Sequence, residues 1–202
     1  RNITPVDIDY ATELGYRIKL LGVAEDKGNG ISQRVNPVMV AVDAPIASVE
    51  GVYNAVVTEG DFVGTTVMEG RGAGAGPTAS AVVADILDIA AGRQAAAFGV
   101  PTSALQPRPS MPLEDHNGAY YVRLTVVDKP GVMADITAIL RDESVSIEAI
   151  IQRGRDPGAP VSVVMTTHET SEAAMRSALD KIEKIEAVTE KPHVIRIAHF
   201  EG

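Results

Sequence analysis

The sequence predicts an α+β protein in two parts, each with a largely antiparallel sheet and helices on one face. Short apolar and β-branched runs alternate with turn residues and helical segments along the 202-residue chain. Four prolines stand close together near the middle of the chain: Pro101, Pro107, Pro109 and Pro112. Prolines at this density oppose both helix and central strand. We therefore predict a linker at 101–112, between a first domain at 1–100 and a second at 113–202.

The first part begins on a helix, because Thr4 can cap it, Pro5 suits its first position and Asp7 lies in its first turn. Gly15 is suited to ending this helix. Strand-forming runs, a glycine-rich loop and a second helix follow: strands at 16–24, 31–42, 51–57 and 62–68, the loop at 70–76, and the helix at 77–91. Short turns between strands favour a partial, mixed or antiparallel sheet packed against helices.

The second part has the element order βαββαβ. Its predicted strands lie at 119–127, 145–153, 160–167 and 193–198, its helices at 131–142 and 171–185, and a turn at 154–158. This order is the ferredoxin-like arrangement. Such a sheet carries helices on one face and leaves a second apolar face free, so we expect a second copy of the chain to cover it. The predicted assembly is a dimer or tetramer.

Composition excludes several classes of function. The chain carries 18 Lys and Arg against 27 Asp and Glu, for a net charge of -9, which argues against nucleic acid and anionic membrane surfaces as partners. There is no secretory signal and no apolar run near the ~20 residues of a membrane span, so a cytoplasmic location is expected. The chain has no cysteine, and its four histidines lack metal-ligand spacing, so no metal site is predicted.

The glycine-rich loop at 70–76 is the first candidate site. Its glycines do not form a dinucleotide-binding fingerprint, which must close the first strand of a βαβ unit. One interpretation is a tight strand-to-helix turn, for which glycine is well suited. The other is that bare backbone approaches a ligand at a helix N-terminus, where free N–H groups favour anionic or carbonyl groups.

The turn from Asp128 to Gly131 is the second candidate. It can be an ordinary strand-to-helix turn in which Asp128 caps the helix. Alternatively, the N–H groups of Gly131, Val132 and Met133 receive a carboxylate while Asp128 faces an ammonium group. The second interpretation suits a free amino acid as ligand, and the residues leave both open.

Two series of motifs resemble known families. The first comprises GYRIKLLG at 15–22, RV at 34–35, GVYNAV at 51–56, GDFVG at 60–64 and GRGAGAGPTA at 70–79 leading to DI at 85–86. It resembles the substrate-domain half of homoserine dehydrogenases. The second comprises VDKPGVM at 127–133 and VSIEAIIQ at 145–152, and it resembles the ACT domain that follows the catalytic region in many bacterial homoserine dehydrogenases.

The resemblance implies NAD- or NADP-dependent interconversion of L-aspartate 4-semialdehyde and L-homoserine, in threonine, methionine and isoleucine biosynthesis. It places Gly74 against the nicotinamide and makes threonine the expected effector of the ACT domain. The family's nucleotide-binding half, catalytic lysine and substrate-binding acids lie upstream of the resembling stretch, so no catalytic residue is assigned here. The sequence begins with Arg1 and not with Met, and Arg1 adjoins a helix start. We therefore expect the chain to be a C-terminal fragment that is inactive alone. The alternative is a non-enzymatic, amino-acid-binding ACT regulator.

Overall fold

A computed structural model describes residues 3–93, 96, 98–153 and 159–199. The described residues group into two compact units. Residues within 1–42 and 110–200 form one, here called the sheet unit, and residues within 43–109 form the other, here called the hairpin unit. The predicted turn at 154–158 lies outside the described residues. The predicted domain boundaries stay a prediction, because the units divide the chain by packing, which brings residues 1–42 together with the second part.

The elements follow one another in this order: α1 (Pro5–Glu13), β1 (Tyr16–Asp26), β2 (Ile31–Ala41), β3 (Tyr53–Gly60), β4 (Gly64–Arg71), α2 (Ala75–Ala90), β5 (Asn117–Val127), α3 (Val132–Asp142), β6 (Ile147–Gln152), β7 (Pro160–Thr167), β8 (Thr170–Ser171), α4 (Glu172–Ile182) and β9 (His193–Ala198). Short 3-10 turns lie at Pro45–Ser48, Thr102–Ala104 and Leu113–Asp115.

The sheet unit is built on the strand order β1-β2-β9-β5-β7-β6, with β8 pairing β5. The pairs are antiparallel except β2 with β9, which run parallel from Val38 opposite Arg196 to Val40 opposite Ala198. The α+β class and the βαββαβ order are confirmed. The difference lies in β1 and β2, which extend this sheet, whereas β3 and β4 pair only with each other among the described residues.

The two faces of this sheet have different covers. On one face α3 and α4 bury an apolar core: Tyr120, Val122, Leu124, Val126, Val132, Ile136, Leu140, Val145, Val161, Val163, Met165, Met175, Ala178 and Ile182. On the other face, Tyr10 and Ala11 of α1 pack with Tyr121 of β5 and Ile195 of β9. The expectation that this second face is free was wrong, because α1 of the same chain covers it. The alternation of side chains along β5 and β9 sends successive residues to the two cores.

The hairpin unit has little buried surface. Strands β3 and β4 pair from Tyr53 opposite Arg71 to Gly60 opposite Gly64, and no described residue of α2 is buried. Large apolar side chains are exposed here: Val56, Phe62, Val63, Met68, Val82, Val83, Ile86, Leu87 and Ile89. Helix α2 carries Asp85 and Asp88 but is otherwise largely apolar. A large exposed apolar surface is typical of one that another surface covers.

No helix among the described residues is long and apolar enough to cross a membrane. Within the described ranges, no group of three or more His, Cys, Asp or Glu could hold a metal ion.

Candidate functional site

Gly74 lies at the N-terminus of α2, as the residue that precedes its first turn. Its φ of 119° is a conformation that L side chains rarely adopt. A Cβ built there would lie 3.6 Å from Cδ of Pro77, an ordinary contact, so the backbone conformation rather than lack of space requires glycine. The Gly74 carbonyl accepts the N–H of Thr78 at 3.0 Å and starts the helical ladder. Both interpretations of the loop place a bare backbone at this helix start.

Gly72 is the sterically restricted glycine of the same loop. A Cβ at Gly72 would lie 2.0 Å from Nδ2 of Asn54, far inside contact distance. The Gly72 N–H donates to the Val52 carbonyl at 3.3 Å. This hydrogen bond holds the loop against the end of the hairpin. Gly74 is the next glycine along the chain. The sequence signal was Asn54, a polar residue within an apolar strand.

The turn at 128–131 connects β5 to α3, as predicted. Gly131, not Asp128, precedes the first turn of α3, and it adopts the left-handed conformation at φ 95° and ψ -23°. The N-cap position is therefore Gly131, three residues after Asp128. The side chain of Val132 is buried, and Met133 packs against the same core. Val132 can therefore offer a ligand only its backbone, whereas the Met133 side chain is partly exposed.

A buried polar cluster that sequence reasoning missed joins α1 to β5 and β9. Asp7 is fully buried, and its carboxylate accepts Arg123 Nε at 2.7 Å, Tyr121 Oη at 3.1 Å and the Thr4 N–H at 2.9 Å. His193 Nδ1 lies 3.4 Å from the same carboxylate. Burial alone would raise the pKa of Asp7, but the hydrogen bonds from Arg123 and Thr4 outweigh it and hold the pKa at about 2. We call these five residues the Asp7 cluster.

A second buried cluster lies on the opposite face of the sheet. Glu172, at the start of α4, accepts Arg196 through Nε at 3.0 Å and Nη2 at 2.6 Å, and Tyr120 Oη at 2.8 Å. All three residues are buried. Burial and the neighbouring Glu172 carboxylate both raise the pKa of the Tyr120 phenol. We call these three residues the Glu172 cluster. No short motif marks it, because its members come from three separate elements.

A cavity of about 570 Å³ opens beside the Glu172 cluster, between α4 and the beginning of β9. Its lining includes the cluster, apolar residues and several charged residues: Tyr120, Glu172, Met175, Arg176, Leu179, Asp180, Glu183, Lys191, Pro192, His193, Val194 and Arg196. Neither Gly74 nor the turn at 128–131 contributes to it.

Comparison with known proteins gives two family matches. Residues 1–87 match the family model for homoserine dehydrogenase, and residues 120–187 match the model for the ACT domain. The homoserine dehydrogenase of Neisseria gonorrhoeae is 46% identical over 192 residues, which cover 92% of this chain and 44% of that protein. The homoserine dehydrogenase of Helicobacter pylori is 38% identical and covers 96% of this chain and 46% of that protein.

A solved structure has the same fold. The crystal structure of a homoserine dehydrogenase from Thiobacillus denitrificans superposes with a TM-score of 0.85 at 43% identity, and the match covers 97% of this chain and 46% of that one. The chain thus spans about half the length of the relatives that it matches.

The fold and the matches together indicate a segment similar to homoserine dehydrogenases, followed by an ACT domain. Residues 1–87 match the homoserine dehydrogenase family and residues 120–187 match the ACT domains, and the relatives that align with nearly the whole chain are homoserine dehydrogenases. The resemblance predicted from the sequence motifs is confirmed over both segments.

Proposed function

We propose that this chain is the C-terminal part of an enzyme that transfers a hydride between NAD or NADP and the pair L-aspartate 4-semialdehyde and L-homoserine. The observation that carries this proposal is the order of the two matches, a homoserine dehydrogenase segment followed by an ACT domain. The alternative, a non-enzymatic ACT regulator, leaves the match over residues 1–87 without a role. The exposed apolar side chains of α2 add support, because they suit contact with a larger catalytic body.

The described residues fit one edge of a nicotinamide site, and we assign no other part of the cofactor site to them. Gly74 presents backbone without a Cβ at a helix start, where N–H groups favour a carbonyl or an anionic group. When bound, the cofactor supplies or accepts the hydride. The role of this chain there is to let the cofactor come close and to keep a side chain out of the gap.

A direct experiment compares this chain with the whole protein. We expect the whole protein to reduce NAD or NADP in the presence of homoserine, and the purified 202-residue chain to show no such activity. A cofactor must be held and oriented for transfer, and Gly74 with one helix start cannot do so alone. Homoserine-dependent reduction by the chain alone would contradict the proposal, as would a whole protein that lacks this activity.

The ACT part is proposed to bind an amino-acid effector, threonine, at the turn at 128–131. Support comes from the start of α3, whose first-turn N–H groups suit a carboxylate, and from Asp128 beside it for the ammonium group. Inhibition then requires that threonine bind one arrangement of the enzyme better than another.

Calorimetric titration with threonine tests this site through a matched pair of variants. Gly131→Asp and Gly131→Asn both tolerate the left-handed backbone, but only Asp places a negative charge where the carboxylate is expected. We expect millimolar threonine to bind wild type and Gly131→Asn, and binding to be lost in Gly131→Asp. A folded chain that gives no heat with threonine would rule out the effector.

A further inference from the structure

The cavity beside α4 has a buried ion pair as its floor. Arg196 and Glu172 are both buried and joined by two hydrogen bonds. Replacing such a pair with apolar residues is often neutral or stabilising, so stability alone does not account for charges at this position. The pair places a cationic and an anionic group side by side at the floor of the cavity.

The rim of the cavity carries charges of both signs. Asp180 and Glu183 lie three residues apart on α4 and both line the cavity, and Lys191 lines it from the segment before β9. All three are exposed, and none has a salt bridge to another described residue. Arg176 also lines the cavity but is paired with Glu114 at 3.1 Å. The two rim acids repel a polyanion such as a nucleotide, and Lys191 repels a simple cation.

Apart from His193 and Tyr120, the remaining residues that line the cavity are apolar. Met175, Leu179, Pro192 and Val194 line the cavity with the charged residues. A volume of about 570 Å³ lies within the range of small-molecule sites, which combine apolar walls with a few placed polar groups. A ligand that matches all three features has a negative group, a positive group and a short apolar part.

We propose that this cavity is a second amino-acid site, separate from the turn at 128–131. The α-carboxylate of the ligand lies toward Lys191 and the guanidinium of Arg196, which both line the cavity. The α-ammonium group lies toward Asp180 and Glu183, and the side chain packs on the apolar wall. Because Glu172 starts α4 and Arg196 lies in β9, a bound ligand contacts the two elements that the Glu172 cluster joins.

The test uses the 202-residue chain and a panel of L-amino acids at millimolar concentration: alanine, valine, leucine and methionine. Threonine is left out of the panel because it is the ligand proposed for the turn at 128–131. Binding is followed by calorimetry and by tyrosine fluorescence, since the chain has no Trp and Tyr120 lies at the floor. We expect at least one member to bind. Its methyl ester and its N-acetyl derivative, which each lack one charge, should bind at least tenfold more weakly.

Charge reversals on the rim locate the site. Lys191→Glu and Asp180→Lys should each weaken binding at least tenfold while the melting temperature stays unchanged, because both residues are exposed. Lys184→Glu is the matched control, since Lys184 is also exposed but does not line the cavity, and it should bind like wild type. Gly131→Asp should also leave this binding intact.

Three results would overturn the proposal. The first is a folded wild-type chain that binds no member of the panel. The second is binding that survives both rim reversals. The third is binding that is lost in Gly131→Asp, since a site separate from the turn must be indifferent to that change.

Discussion

Asp7 serves two structural purposes at once. One carboxylate oxygen accepts the N–H and hydroxyl of Thr4, which completes the capping box of α1. The other accepts Arg123 and Tyr121 from β5. The capping role could be predicted from the spacing of Thr4 and Asp7, because it depends only on local geometry. The contacts to β5 could not, since their residues are more than a hundred positions away along the chain.

The low pKa of Asp7 makes the free energy of unfolding of the sheet unit depend on pH in the acid range. Its carboxyl has a pKa of about 2 in the folded chain, against an ordinary value of 3.8. The unfolded chain therefore takes up the proton first as the pH falls. The stabilisation, about 2 kcal/mol, is complete above the ordinary value and is lost between about pH 4 and pH 2. Urea unfolding measured at several pH values should show this loss.

Substitution of Asp7 isolates its share of the effect. We expect Asp7→Asn to lower the free energy of unfolding at pH 7 by roughly 3 kcal/mol, because Arg123 loses a buried partner. It should also flatten the acid dependence between pH 4 and pH 2. Asp9→Asn is the control, since Asp9 is an exposed acid of the same helix, and it should change little. An unchanged acid dependence in Asp7→Asn would assign the loss to other groups.

Gly74 can be tested with two variants that share the same backbone strain. Any L residue at its φ of 119° is strained, so Gly74→Ala and Gly74→Val both carry that cost. Only Val adds branched bulk toward the proposed cofactor. In the whole protein we expect Gly74→Val to lower kcat/KM for the cofactor at least tenfold further than Gly74→Ala, about 1.4 kcal/mol.

Gly76 provides the control for this loop. It lies in the first turn of α2, without positive φ and with open space around its Cβ position, so Gly76→Ala should retain activity. If Gly74→Val and Gly74→Ala are equally active and folded, the loop is only a tight turn. Protein stability, measured by thermal unfolding, separates a cofactor effect from a loss of fold.

At the scale of elements, helix α1 covers the sheet face that the sequence analysis predicted to be free. Its apolar residues Tyr10 and Ala11 lie against β5 and β9, and Arg153, just after β6, places its guanidinium 4.9 Å from the ring centre of Tyr10. The individual helix and strands could be predicted from caps and periodicity. Their docking could not, because an apolar stripe on a helix says that it is covered and not by what.

The parallel pairing of β2 with β9 is a further example of this limit. Val38 and Arg196 lie opposite each other, although they are far apart along the chain. Neighbouring strands usually pair, since short connections are favoured. The parallel contact needs a long connection, which local signals do not report.

The cover formed by α1 can be tested at Ala11, which is 1% exposed. Ala11→Asp places a charge in the apolar contact and should lower the free energy of unfolding by about 3 kcal/mol. It should also increase binding of an apolar dye, because the sheet face becomes accessible. Thr12→Asp is the matched control at the exposed neighbouring position and should be close to neutral. Equal behaviour of the two variants would mean that α1 does not seal the face.

At the scale of the whole molecule, motif resemblance was more informative than composition. From the composition we expected no nucleic-acid partner and, without cysteine, no disulfides. The order of GRGAGAGPTA and VDKPGVM predicted the two families that the chain matches. The Glu172 cluster and its cavity could not be predicted from the sequence. Tyr120, Glu172 and Arg196 are separated along the chain, and each has an ordinary sequence context.

Self-association is the last prediction, and α1 changes where it should occur. Since α1 covers the second sheet face, a partner copy needs another surface. Strand β6 is the edge of the sheet on the side of the ACT domain, and β1 is the opposite edge. Ile150 of β6 is 45% exposed, and an edge strand can pair with its copy across a two-fold axis. Light scattering at micromolar concentration should give at least twice the 21.2 kDa chain mass. Ile150→Asp should reduce this mass toward the monomer, whereas Gln152→Asp, at an already polar exposed position, should not. A monomeric wild-type chain would show that the β6 edge does not mediate self-association.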